Sequence, residues 1–154
     1  MPETRTELQF QGPVLALDLG EKLVGVAISD ELLVTTKPLN PLKRSNWKQL
    51  VRDVETLIKG FDVKAMVIGL PLRLDGSTGS AAEQIQRLAG NLSKSLDVPI
   101  YLQDERLTSF AAREKLLSEG HDETEIRKLV HGEAAVLILR DFLNRDGSVM
   151  LVQP

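Results

Sequence analysis

The sequence predicts an α/β fold, a mixed sheet with helices packed on its faces. Two observations predict it. Short apolar, β-branched runs open the chain and are separated only by turn-length links, as in an antiparallel meander. Later runs of the same kind are separated by stretches with helical spacing, as in parallel strands joined by crossovers.

Residues 14–17, Val-Leu-Ala-Leu, read as a buried strand that ends at Asp18 and Gly20. Residues 23–28 and 32–36 are the next two runs, joined through Gly20-Glu21-Lys22 and Ser29-Asp30-Glu31. Trp47, Leu50, Val51, Val54, Leu57 and Ile58 repeat at helical spacing, with Gly60 as a stop signal. Residues 64–69 form another buried strand, followed by Gly69-Leu70-Pro71 and a turn-rich loop, Asp75-Gly76-Ser77-Thr78-Gly79. Ser80 with Glu83 has the spacing of a capping box. The helix it opens presents Ile85, Leu88, Ala89, Leu92 and Leu96. Residues 98–102 are a strand leading into Asp104-Glu105. Thr108 caps a helix with Phe110, Ala111 and Leu117 on its apolar face. Asp122 and Glu125 make a second cap-like pair, and the last helix runs to about Leu143.

Residues 1–12 read as a loose tail, 13–144 as a single folded domain, and 145–154 as a C-terminal tail. Residues 148–154 could instead add a small strand.

A chain of 154 residues buries roughly 70% of the surface it exposes when unfolded, enough for one real core. The absence of cysteine excludes disulfides and thiolate zinc sites and fits a reducing compartment. The polar N-terminus lacks a signal-peptide core, and no apolar run approaches ~20 residues. The expectation is a cytoplasmic protein with no membrane partner. A net charge of −3 does not advertise a nucleic-acid binder. A metal nuclease, however, concentrates carboxylates at its centre, where bound cations reverse the local sign.

Three polar positions stand at the ends of apolar runs. Asp18 ends the first strand, and Gly20 keeps the backbone close to whatever that carboxylate binds. Asp104 and Glu105 end the strand at 98–102, and alternation lets only one of them face the same side as Asp18. His131 shares a helix face with Ala134, Ala135 and Ile138, whose small size brings that helix close to the sheet. His131 is expected at the helix's N-terminal end, pointing inward, whereas Glu133 projects elsewhere. Ligands of open α/β sheets sit beyond the carboxyl ends of parallel strands. Asp18, Glu105 and His131 are therefore the candidate metal-binding and catalytic set. The bland reading is a turn, a helix cap and a structural histidine.

Asp18-Leu19-Gly20, Gly25-Val26-Ala27, Gly69-Leu70-Pro71 with Asp75-Gly76, Asp104-Glu105-Arg106-Leu107-Thr108, and Ala134-Ala135 with Ile138-Leu139 occur in one order. Together they resemble the YqgF/RuvX family of the RNase H-like superfamily over roughly residues 13–144. The resemblance implies a five-stranded sheet in the order 3-2-1-4-5, with strand 2 antiparallel. It also implies a metal-dependent nuclease that processes pre-16S rRNA or resolves Holliday junctions, with a homodimer among its assemblies. Two positions depart from the family pattern: Leu23 stands where Arg is common, and His131 where a third catalytic Asp is common.

The expected chemistry is phosphodiester hydrolysis with Mn²⁺ or Mg²⁺, hard ions suited to oxygen donors. Lys22, Arg73 and Arg106 are the candidate nucleic-acid contacts. Arg106 could equally form an ion pair with Asp104 or Glu105. Lys43, Arg44, Lys48 and Arg52 form a second basic stripe or a solvated face. An inactive nucleic-acid-binding module of the same fold is the alternative. An actin-like phosphotransferase would need two such domains.

Overall fold

The computed structural model describes residues 11–44, 46–106, 108–144 and 149–153. Residues 1–10 of the expected tail at 1–12, and residues 145–148 and 154 of the expected tail at 145–154, lie outside these. The chain opens with β1 (Val14–Leu19), β2 (Leu23–Ser29) and β3 (Thr36–Lys43), followed by α1 (Trp47–Phe61). Then come β4 (Ala65–Leu70), α2 (Ser80–Ser95), β5 (Ile100–Asp104), α3 (Thr108–Ser118), α4 (Glu123–Asn144) and β6 (Val149–Leu151). The strands form one sheet in the order β3-β2-β1-β4-β5-β6. β1, β4 and β5 are parallel; β2, β3 and β6 each run antiparallel to their neighbours. The expected 3-2-1-4-5 order is present, and β6 extends it by one edge strand. Residues 149–151 are thus strand rather than tail.

Alternation along the strands divides the core between two faces. Leu15, Leu17, Val24, Val26, Met66, Ile68, Ile100 and Leu102 pack with Leu50 and Val54 of α1 and with Ala82, Ile85, Ala89 and Leu92 of α2. Val14, Ala16, Ala27, Ala65 and Val67 face the other way, onto Ala135, Ile138, Leu139 and Phe142 of α4. The residues on this second face are small, which lets α4 lie close to the sheet.

Several sequence expectations need correction. The third strand is not residues 32–36: Leu32 and Val34 are 80% and 76% exposed, and the strand begins at Thr36. Its sequence includes Pro38 and Pro41, which a strand tolerates at a sheet edge, where some amides have no partner to meet. Helix α1 runs through Gly60 and stops at Asp62, which takes the left-handed conformation and donates its N–H to the helix's last carbonyls. Ser80 is the first residue of α2 rather than its cap, and Gly79 caps without a side-chain bond. On α3 the buried residues are Ala112 and Leu116, while Phe110 and Leu117 are exposed. Asp122 and Glu125 do form a reciprocal capping box, with N–H to carboxylate distances of 2.9 and 3.0 Å.

Candidate active site

The register brings the carboxyl ends of the parallel strands to one level: Leu17 pairs with Ile68, and Leu70 with Asp104. Asp18 lies opposite Gly25, on the α4 face. Glu105 continues β5 by one residue, its N–H donating to the Leu70 carbonyl at 3.0 Å. Alternation then sends Glu105 toward α4 and Asp104 toward the opposite face. Asp18 and Glu105 line one cleft of about 280 Å³, together with Gly69, Pro71, Leu72, Ile85, Thr108, Phe110 and Ile138. Asp104 does not line that cleft. It accepts two hydrogen bonds from the Arg106 guanidinium, at 3.0 and 3.3 Å, and Arg106 also holds the Leu74 carbonyl at 3.2 Å. Arg106 is thus a structural ion pair that ties the loop after β4 to the end of β5.

Glycines set how near α4 comes. A Cβ on Gly25 would lie 1.9 Å from the His131 carbonyl oxygen, and one on Gly69 would lie 2.5 Å from Ile138 Cδ1. His131 is therefore held in the middle of α4, against β2, and not at the helix's N-terminal end. Its Nδ1 is 3.5 Å from Asp18 Oδ2, and both side chains are partly exposed. Hydrogen-bond attraction to Asp18 raises the imidazole pKa above its ordinary value, outweighing the burial that would lower it. Glu133 projects away, pairing with Lys115.

Glu105 is 9% exposed. Its Oε2 accepts from the Thr108 hydroxyl, and its buried Oε1 has no hydrogen-bond partner among the described residues. Burial, and then the neighbouring carboxylate of Asp141, push the Glu105 pKa up to about 8. An orphaned, buried carboxylate oxygen that favours a proton is also suited to a cation, because either relieves the same buried charge. Asp141 was not among the sequence candidates. One signal could have found it: it falls one helical turn beyond Ile138, at the end of the apolar face that was read.

The structure therefore joins Asp18 to His131, and places Asp18 and Glu105 on one cleft wall. It does not gather three ligands: among the described residues no three His, Asp or Glu side chains are close enough to hold one ion. Lys22 and Arg73 are exposed at turns near this end of the sheet, with the Arg73 guanidinium beside Gly79. In the second basic stripe, Arg44 donates to the Gly20 carbonyl at 2.7 Å, bracing the turn after Asp18. A larger hollow of about 630 Å³ lies between β3, α3 and α4. Two of its titratable side chains are drawn into other contacts, Glu133 with Lys115 and His121 with Glu125. The acidic cleft is the better candidate, because it lies where parallel strands end.

A sheet of this order and direction, with acidic side chains at the carboxyl ends of β1 and β5, is that of an RNase H-like protein. Residues 12–145 match the family described as "RuvX: Holliday junction resolvase", and the chain belongs to that family. It is 39% identical over 134 residues to a protein of Lactobacillus johnsonii named "Putative pre-16S rRNA nuclease", covering 84% of this chain and 94% of that one. A Synechococcus elongatus protein of the same name is 41% identical over 132 residues, covering 86% and 89%. Among solved structures, T. thermophilus RuvC in complex with a Holliday junction substrate matches with a TM-score of 0.45 and 14% identity, covering 90% of this chain and 98% of that one. None of the described helices is long and apolar enough to cross a membrane.

Proposed function

We propose that this protein is a divalent-metal-dependent nuclease that hydrolyses phosphodiester bonds in structured nucleic acid. Its substrate is the precursor of 16S rRNA or a branched DNA junction. The observation that carries the reading is Glu105: a buried carboxylate with one unpartnered oxygen, sharing a cleft with Asp18 at the strand ends. Membership of the RuvX family supports the same chemistry.

Asp18 and Glu105 would hold Mn²⁺ or Mg²⁺, and His131 would act from α4 through its contact with Asp18. Bound there, such an ion would polarise a phosphoryl oxygen and lower the pKa of an attacking water. The chain's own groups prepare that site. The Thr108 hydroxyl fixes the rotamer of Glu105. His131 orients Asp18 and, as an imidazolium, balances its charge. Binding of a cation at Asp18 competes with that imidazolium, so uptake should release a proton and free Nδ1 as a nitrogen donor. Arg106 keeps Asp104 out of the cleft and anchors the loop that forms its rim. Lys22 and Arg73 are exposed and available to the phosphates of a bound strand.

The test offers purified protein labelled precursor 16S rRNA and labelled four-way junction DNA, each with Mn²⁺ and with Mg²⁺. Cleavage of either substrate that is lost in Asp18→Asn supports the reading, and the substrate cut identifies the role. Nucleic-acid binding with no cleavage in either ion would leave a binding module instead.

A further inference from the structure

We infer that a single-stranded flank of the substrate leaves the cleft over the turn after Asp18 and runs onto the start of α1, held by Lys22, Lys43, Lys48 and Trp47. This surface rests on the nuclease reading above and adds where the strand goes beyond the bond that is cut.

Three separate elements bring these residues to the Asp18 end of the sheet. Lys22 sits in the turn between β1 and β2. Lys43 ends β3 and pairs with Leu23, the first residue of β2. The Arg44 N–H then donates to the Lys22 carbonyl at 3.0 Å, and its guanidinium to the Gly20 carbonyl at 2.7 Å. The end of β3 is thereby tied to the turn that follows Asp18. Helix α1 begins with Trp47 and Lys48, capped by Asn46, so both stand at this same end. Two strand spacings, about 10 Å, separate β3 from β1. Arg52, the last member of the basic stripe, lies one turn down α1, about 6 Å farther from the sheet end, and is outside the surface.

The charge here has no internal use. The chain carries a net −3, yet Lys22, Lys43 and Lys48 are exposed and none is in an ion pair among the described residues. Glu21 shares the turn and is in no ion pair either. The first turn of α1 holds no acidic side chain, and Lys48 stands there against the helix dipole. An arriving phosphate offsets that repulsion. Trp47 is 37% exposed, although its helical spacing predicts a core position. An open indole beside unpaired lysines suits a single strand, because cations follow its phosphates and its free bases stack on the ring. Lysine and indole read phosphate and base faces, which RNA and DNA share.

Trp47 is the only tryptophan, so its emission reports whether a strand reaches α1. The experiment titrates the full chain with labelled oligouridylate in chelator, over a range of salt, following probe anisotropy and Trp47 emission. The parent should bind with Trp47 quenched, and duplex RNA of the same length should leave the emission unchanged. Lys43→Gln combined with Lys48→Gln should weaken oligouridylate at least about fivefold and make the slope of log affinity against log salt shallower by about 1.4. Each single variant should take about half that slope and serves if the double variant does not fold. Lys59→Gln with Lys94→Gln removes the same charge from the last turns of α1 and α2 and should match the parent. Binding by the parent without quenching overturns the surface, and so does a folded Lys43→Gln/Lys48→Gln protein that binds as the parent does. In either case, Mn²⁺-supported cutting by the parent leaves the nuclease reading standing. An equal quench by the duplex overturns the single-stranded assignment. A parent that neither binds nor cuts overturns both the surface and the nuclease reading.

Discussion

Gly25→Ala tests whether the approach of α4 to β2 builds the site. The added Cβ would stand 1.9 Å from the His131 carbonyl oxygen, 2.4 Å from its carbonyl carbon and 3.1 Å from its Cα. All three are backbone atoms, so no side-chain rotation relieves the clash. Restoring a C···O separation of about 3.3 Å requires the middle of α4 to retreat by roughly 1.4 Å. Overpacking a fitted core costs about 1–3 kcal/mol, and a rigid helix with buried neighbours belongs at the upper end. At about 3 kcal/mol, a domain of this size should lose roughly 6–12 °C of Tm. The retreat also draws His131 away from Asp18, now 3.5 Å from it, so cleavage should fall even below the new Tm. Thermal unfolding by circular dichroism, with a cleavage assay at 25 °C, measures both effects. Gly90→Ala is the matched control: nothing lies within 4 Å of its Cβ, and it is interior to α2. It should gain about 0.5–1 kcal/mol from helix propensity. A Gly25→Ala protein as stable and active as the parent would refute the close-packing account of the site.

Three further outcomes are expected. The Glu105 pKa is raised from 4.5 unfolded to about 8 folded, so between these values the folded state binds more protons and stability falls as pH rises. In chelator, Tm should decline across that window, and Glu105→Gln or saturating Mn²⁺ should flatten the decline; a pH-independent parent would count against it. The His131 pKa is raised above 6.5 by Asp18, so the stability it contributes is full below 6.5 and is lost as pH climbs through the folded value. An NMR titration should show that pKa dropping in Asp18→Asn, and His131→Asp should improve Mg²⁺-supported cleavage relative to Mn²⁺. Asp122→Ala removes a helix cap remote from the cleft and should cost about 1 kcal/mol by urea unfolding, with cleavage unchanged.

Elements with a strong internal period were legible in the sequence. β1, β2 and β4 show as buried runs, and α2 shows its true face, because burial on both sides of a central sheet leaves little choice of residue. β3 was missed because an exposed edge strand needs neither an apolar pattern nor every amide, so its prolines read as loop. The face of α3 was missed because that helix packs on α4 rather than on the sheet, and one buried alanine and one leucine make too weak a stripe. At the site, alternation alone could separate Glu105 from Asp104. Nothing local in the sequence ties α4 to the end of β5, since the placing of Ile138 beside Glu105 depends on the angle at which α4 crosses the strands. That angle is set by Gly25 and Gly69 together.

The prolines of β3 have a consequence for how copies of the chain meet in a crowded cell. Pro38 and Pro41 carry no amide hydrogen, so this rim of the sheet cannot offer a second molecule an unbroken row of donors. At the far rim β6 spans three residues, too short a template for fibrillar stacking. Both margins of the sheet are thus poor seeds for aggregation, and assembly between copies is left to helices and loops.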